Sequence, residues 1–98
     1  MAGFRFSVSV MPRAGMLDPQ GRAVENALPQ LGAANVRDVR VGRRIELSVG
    51  EASEEAARAL VERLAHDFLA NPLIEEWQIE RVGRGEGEAA GRPLEAAR

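Results

Sequence analysis

The stretch FRFSVSV, residues 4–10, decides the fold because apolar and polar side chains alternate along it without a break. In an extended chain, successive side chains point to opposite sides, so Phe4, Phe6, Val8 and Val10 share one face. This period of two predicts a half-buried strand with one face in a core and the other toward solvent. The fold then depends on what covers the apolar face.

A first helix is predicted to follow this strand. Asp18 can accept backbone N–H bonds as its N-cap, and Pro19 suits the first helical position. Its buried stripe is predicted to be Val24, Ala27, Leu28 and Leu31. Pro29 lacks the N–H that a helix interior needs, so we expect a kink or an early end near Asn26.

A second helix is predicted to begin at an N-cap, Ser53, and to end at Asn71 and Pro72, which cannot continue it. Its buried stripe is predicted to be Ala57, Leu60, Val61, Leu64 and Phe68. Residues 74–82 then predict a last strand with Trp77 and Ile79 facing inward. Two helices and flanking strands together favour a layer of helix on a layer of sheet.

Between the helices, residues 35–50 predict two strands around a turn at Gly42, with Val41 opposite Ile45 and Val39 opposite Leu47. The order β-α-β-β-α-β predicts an α+β fold, the ferredoxin-like two-layer sandwich, with both helices on one face of a four-stranded antiparallel sheet. The helix-free face would carry Arg5, Ser7, Ser9, Glu46 and Ser48.

Composition limits the function. The chain has 98 residues, enough for one domain at most, and a net charge of −2. It has no cysteine, which excludes disulfides, thiolate metal sites and a cysteine nucleophile. All 13 basic residues are arginine, so no lysine can anchor a phosphate or form a Schiff base. No apolar run is long enough to span a membrane, and we expect no membrane partner.

The residues that could carry chemistry do not form a catalytic group. His66 is the only histidine and is expected to be exposed, while Glu75 and Glu76 point to opposite faces of a strand. Arginines 37, 40, 43 and 44 gather near the predicted turn, but RNA recognition needs aromatic side chains on the open sheet face. We therefore predict no catalytic, cofactor-binding or metal-binding residue and no nucleic-acid partner. A module that contacts other proteins is favoured.

Three separated motifs resemble the PurS family, the small subunit of phosphoribosylformylglycinamidine synthase. They are LDPQG at residues 17–21, VRVGRRIEL at 39–47 and FLANPLIEEWQIE at 68–80. The resemblance covers about residues 4–82 in matching order. It predicts a PurS-like domain over residues 1–82. Residues 83–98 lie outside it, and their Gly, Ala, Glu and Arg content without periodicity predicts a flexible tail. The family usually has lysine at the position of Arg43, which keeps the charge but not the planar geometry.

The resemblance implies a role within a larger enzyme of purine biosynthesis in the cytoplasm. A glutaminase subunit would release ammonia, and a large synthetase subunit would use ATP and magnesium. This chain, as a homodimer that binds no cofactor itself, would bridge the two and help ammonia to pass. An alternative is a regulatory module of ACT type, which shares the element order and would bind an amino acid at a dimer interface.

The turns of the three motifs are the expected subunit contacts. Gly21 weakens the first helix but allows another backbone to come close. The candidate contact residues are Asp18, Pro19, Gly21, Gly42, Arg43, Asn71 and Pro72.

Overall fold

The fold was analysed in a computed structural model that describes residues 2–83; apart from Gly83, the expected flexible tail lies outside this part. Three strands form one antiparallel sheet in the order β2-β1-β3. The strands are β1 (Ala2–Pro12), β2 (Arg43–Glu51) and β3 (Glu75–Arg81). The helices are α1 (Pro19–Ala27), followed by a 3₁₀ turn (Leu28–Leu31), and α2 (Glu54–Leu64), followed by a π turn (Ala65–Leu69).

The opening stretch is the central strand, as its alternation predicts. Phe6, Val8 and Val10 are fully buried. Val8 lies opposite Ile45 on β2 and Ile79 on β3, so the apolar residues of three strands share one face. The inward orientation predicted for Ile79, and for Trp77, is confirmed, since both pack against the core.

The predicted hairpin at Gly42 is wrong. Residues 36–42 form no strand, and β2 pairs along its whole length with β1 instead. The backbone N–H groups of Val39 and Val41 donate to the carboxylates of Glu25 and Asp18, both in or beside α1. These side chains replace the strand partner that the pattern predicted. The α+β class and its ferredoxin-like character are confirmed, with three strands within residues 2–83.

α1 begins and ends as predicted, but its stripe is not buried. Asp18 is the N-cap, the α-helix stops at Ala27, and Gly32 closes the following turn with φ of 82°. Gly21 is the only buried residue of α1. The predicted stripe is exposed at Val24, Ala27 and Leu31 and half-buried at Leu28. We call residues 16–41, which contain α1, its 3₁₀ turn and the segment bonded to them, the arm.

α2 is the helix that covers the sheet. Ser53 caps it, accepting from the N–H of Ala56, and Ala57 and Val61 are buried as predicted, with Leu60 and Leu64 half-buried. The prediction for Phe68 is wrong, because this side chain is 80% exposed. In the π turn the N–H of Ala70 donates to the carbonyl of Ala65, which changes the helical phase, so that Leu69 packs against the core while Phe68 does not.

Candidate functional site

Asp18 holds two parts of the arm together. One carboxylate oxygen accepts the N–H of Gly21 at 3.0 Å, and the other accepts the N–H of Val41 at 2.9 Å. These backbone donors hold the pKa of Asp18 below its ordinary value, the bond from Gly21 being the larger cause. The residue predicted as a helix cap therefore also holds the helix start against a segment 23 positions along the chain.

Gly21 and Gly42 are places where the chain approaches itself closely. A Cβ at Gly21 would overlap the carboxylate of Asp18 and the carbonyl oxygen of Val39. A Cβ at Gly42 would overlap the carbonyl oxygen of Val10 and the sulfur of Met11. The close backbone approach expected at Gly21 thus exists, and its partner is the chain's own residues 39–41. Pro19 occupies the first helical position beside it, as predicted.

Arg43 and Glu75 form a two-pronged ion pair at the end of the sheet. Nη1 and Nη2 of Arg43 lie 2.9 and 3.1 Å from the two carboxylate oxygens of Glu75, and Nη2 also donates to the Leu69 carbonyl at 2.6 Å. Arg43 begins β2 and Glu75 begins β3, so the pair bridges the two outer strands across the end of β1. It joins both strands to the last turn after α2.

The ion pair between Arg43 and Glu75 shifts the pKa of both side chains. The hydrogen bond from Arg43, followed by that from the N–H of Asn71, lowers the pKa of Glu75. The hydrogen bond to Glu75 raises the pKa of Arg43. Glu75 therefore stays ionised to a lower pH than an ordinary glutamate does.

Asn71 and Pro72 complete this arrangement through their backbones. The N–H of Asn71 donates to Glu75 at 2.7 Å, and its carbonyl accepts the N–H of Glu75 at 2.8 Å. The carbonyl of Pro72 accepts Nε of Arg13 at 3.0 Å, while the N–H of Arg13 donates to Ile74. The α2–β3 turn is thus tied to the segment that leaves β1.

The structure brings most of the candidate residues together. Asp18, Gly42, Arg43 and Glu75 line one cleft of about 420 Å³ between the root of the arm and the end of the sheet. Asn71 reaches the same place through Glu75. We call these residues and Pro72 the sheet-end cluster. Whether it contacts another subunit stays a prediction.

Glu75 is the member that the sequence analysis missed. Its neighbour Glu76 does point to the opposite side, as predicted, and this left Glu75 looking like an ordinary surface residue. Its role appears only when both outer strands are placed on β1, with Arg43 opposite Val10 and Glu75 opposite Pro12. A hairpin prediction puts Arg43 in a turn, and no signal in the sequence then links it to Glu75.

The helix-free face carries the residues predicted for it. Arg5 lies across this face and donates to Ser48 at 2.9 Å and to Glu46 at 3.2 Å. Ser7 is buried there, and its Oγ has no hydrogen-bond partner among residues 2–83. This surface is held together by its own polar side chains.

His66, metal binding and membrane spanning are the remaining features that the sequence analysis considered. His66 is exposed as predicted, but its Nδ1 lies 2.8 Å from Asp67, a contact that the sequence analysis did not expect. Within residues 2–83, no group of histidine and carboxylate side chains could hold a metal ion. In that same part of the chain, no helix has the length and apolar character to cross a membrane.

Comparison with known proteins decides the family. Residues 5–83 match the family model described as "PurS: Phosphoribosylformylglycinamidine (FGAM) synthase". The chain belongs to the PurS family. A PurS subunit of that synthase from Mycobacterium leprae is 43% identical over 77 residues, or 79% of this chain and 94% of the relative. The PurS subunit of Bacillus subtilis is 36% identical over 79% of this chain and 90% of its own length.

Solved PurS structures agree with this fold. A chain of the PurLQS structure from Thermotoga maritima has a TM-score of 0.77 and 29% identity, covering 84% of this chain and all of that one. B. subtilis PurS has a TM-score of 0.69 and 35% identity over 81% of this chain and 98% of its own. The resemblance carried by the three motifs is therefore confirmed, and with it the expectation of a subunit of phosphoribosylformylglycinamidine synthase.

Proposed function

We propose that this chain is the non-catalytic subunit that bridges the glutaminase and synthetase subunits of phosphoribosylformylglycinamidine synthase and assists ammonia transfer between them. The observation that carries the proposal is the PurS family match over residues 5–83. The similarity to a chain of the T. maritima PurLQS structure supports a role inside an assembly. The synthetase subunit would use ATP and magnesium, and this chain would bind neither.

The geometry of the sheet-end cluster supports a structural role. Arg43 and Glu75 are bonded to each other and to the backbone at Leu69 and Asn71. Asp18 is bonded to two backbone N–H groups. Groups held in this way fix the position of the arm and the turns, which is what a subunit needs when it must hold two neighbours in register.

A bridging subunit would serve the reaction by positioning. Free ammonia is lost to water and is mostly protonated near neutral pH. Holding the site that releases ammonia against the site that consumes it converts a diffusive encounter into a directed delivery. We further propose that the subunit acts as a homodimer, so that one assembly presents two copies of each contact surface. Its place would be the cytoplasm, with the complex.

Reconstitution tests this proposal. The glutaminase and synthetase subunits of the complex are assayed with and without this chain, using glutamine or ammonium as the nitrogen source. Omitting the chain should abolish glutamine-dependent synthesis and spare at least part of the ammonia-dependent reaction. Adding the chain back should restore glutamine-dependent synthesis until one stoichiometric equivalent is reached. Glutamine-dependent turnover that is the same without the chain would overturn the proposal.

The cleft at the sheet end keeps a second candidate open, a regulatory module that binds a small molecule. Its volume of about 420 Å³ would admit an amino acid, and Asp18 and Arg43 line it. A ligand carboxylate would have to displace Glu75 from Arg43, which argues against this candidate. Titration calorimetry of the isolated protein with amino acids and purine intermediates separates the two, since micromolar binding would favour the regulatory module.

A further inference from the structure

A second cavity, of about 540 Å³, lies beside the root of the arm. Three arginines line it: Arg13 on the chain leaving β1, Arg22 on α1 and Arg40 near the end of the arm. We call this space the arginine cavity. Its volume is in the range usual for sites that bind small molecules. It opens on the other side of Asp18 from the sheet-end cleft, since that residue lines both.

The arginines of this cavity are not engaged by carboxylates, unlike those of the sheet. On the sheet, Arg5 and Arg43 form ion pairs with glutamates. Arg13 and Arg40 each donate through one nitrogen to a backbone carbonyl, and neither forms an ion pair within residues 2–83. Arg22 is exposed and has no ion pair in that part of the chain either. Most N–H donors of the three guanidinium groups are therefore left for a ligand.

Four carboxylates also line the cavity, and two of them are already occupied. The two oxygens of Asp18 accept backbone N–H groups, and Oε1 of Glu25 accepts the N–H of Val39 at 3.3 Å. Asp38 and Glu76 are exposed and accept no hydrogen bond from any residue that the structure describes. Asp38 also has a φ of 58°, a left-handed conformation in which aspartate is enriched. Two carboxylates therefore face the cavity without a donor.

The groups that remain without partners define the chemistry of a ligand. Three guanidinium groups and two carboxylates call for a molecule with one more anionic group than cationic groups. A guanidinium binds a carboxylate through two parallel N–H bonds, and a carboxylate accepts charge-assisted bonds from an ammonium. An amino acid with two carboxylates meets both requirements. A simple anion would leave Asp38 and Glu76 facing negative charge.

We propose that the arginine cavity binds an acidic α-amino acid, with its carboxylates on the three arginines and its ammonium on the free carboxylates. Such a ligand breaks no ion pair, whereas a ligand carboxylate in the sheet-end cleft would have to displace Glu75. The inference goes beyond the bridging function and does not depend on it. In the proposed complex a ligand of this class would be at hand, because hydrolysis of the amide of glutamine to ammonia leaves glutamate.

An NMR titration of the ¹⁵N-labelled full chain with L-glutamate tests the site at constant ionic strength. The Nε–H signals of Arg13, Arg22 and Arg40 should shift and saturate with a dissociation constant of about 1 mM, and that of Arg37 should not. Two matched ligands test each half of the recognition. L-glutamine lacks the second carboxylate and glutarate lacks the ammonium, so each should bind at least about fivefold more weakly.

Variants assign the binding to particular side chains. Arg22→Gln should weaken glutamate binding at least about fivefold. Arg37→Gln is the matched control, the same change at an exposed arginine of the arm outside the cavity, and it should have no effect. Asp38→Asn should remove the preference for glutamate over glutarate without weakening glutarate, because asparagine keeps the left-handed backbone and loses the charge. Circular dichroism checks that each variant keeps the fold.

Each other outcome overturns the site. Glutamate that gives no saturable shift by about 10 mM would exclude it. Glutamine, glutarate or inorganic phosphate binding as well as glutamate would reduce it to a contact for any anion. An equal loss in Arg37→Gln would assign the effect to net charge. Reconstitution tests the bridging function separately, so either conclusion can fail while the other stands.

Discussion

α1 and α2 are alike in construction and differ in what surrounds them. Each is capped by a side chain that accepts a backbone N–H, Asp18 in one and Ser53 in the other. Each carries apolar residues at helical spacing. Yet α2 buries Ala57 and Val61 against the sheet, whereas α1 buries only Gly21. The difference shows that an amphipathic pattern predicts a helix and identifies its apolar face. The pattern does not predict which surface of the chain, or of another chain, will cover that face.

The largest expected difference between the helices comes from the same substitution made in each. Val61→Ala removes two buried methyl groups and should cost about 2–3 kcal/mol of unfolding free energy at any protein concentration. Val24→Ala should cost less than about 0.5 kcal/mol in dilute, monomeric protein, because an exposed side chain loses little. Denaturant unfolding at several protein concentrations measures both. Equal losses at every concentration would show that α1 packs within its own chain.

Gly21→Ala tests whether the arm is a single packed unit. The added methyl group would overlap the carbonyl oxygen of Val39, so residues 39–41 would have to move away from α1. We expect a loss of about 1–3 kcal/mol, the usual cost of overpacking. Gly3→Ala is the matched control, since a Cβ there meets no atom within 4 Å. If Gly21→Ala proved as harmless as this control, the arm would not be held by that close approach.

Arg43→Lys tests the sheet-end cluster, which belongs to the region where α2 packs on the sheet. Lysine keeps the charge but cannot form the two parallel bonds to Glu75. The expected loss is about 0.5–1 kcal/mol, because half of the Arg43 side chain is exposed and water screens the pair. Arg44→Lys should cost less, since Arg44 makes a single bond, to Glu46. Thermal unfolding of the two variants measures both losses of stability. Equal losses would mean that the two-pronged geometry of the Arg43–Glu75 pair adds no stability.

Acid should destabilise both the arm and the sheet-end cluster, and the effect at each should be smaller than that of the substitutions above. Asp18 in the arm and Glu75 at the sheet end both have a lowered pKa in the folded chain. Their stabilisation is therefore complete above the unfolded-state pKa, near pH 4, and is lost as the pH falls through the folded-state pKa. Melting temperatures between pH 7 and pH 3 should fall less steeply for Asp18→Asn and Glu75→Gln than for the parent. Parallel curves would show that these carboxylates do not control acid stability.

Much of the local structure could be predicted from single residues and their spacing. Alternation in residues 4–10 predicted the central strand, Asp18 and Ser53 predicted the helix starts, and Pro29 predicted the early end of α1. Each of these signals acts within a few residues through backbone geometry or a neighbouring N–H group. The predictions that failed are the burial of Phe68, the buried stripe of α1 and the hairpin at Gly42, and the last two depended on where distant parts of the chain lie. A π turn displaced Phe68, and two carboxylates took the N–H groups of Val39 and Val41.

The sequence by itself therefore determined two helices and three strands, the α+β class and the resemblance to the PurS family. The tertiary structure alone decided that Arg43 reaches Glu75, and that Gly21 admits residues 39–41. It also decided that the stripe of α1 stays open. The physical reason is the separation along the chain over which each interaction acts. Capping, alternation and backbone strain act between near neighbours and leave a mark in the local sequence, whereas ion pairs between outer strands and the partner of an apolar face depend on how the whole chain is placed.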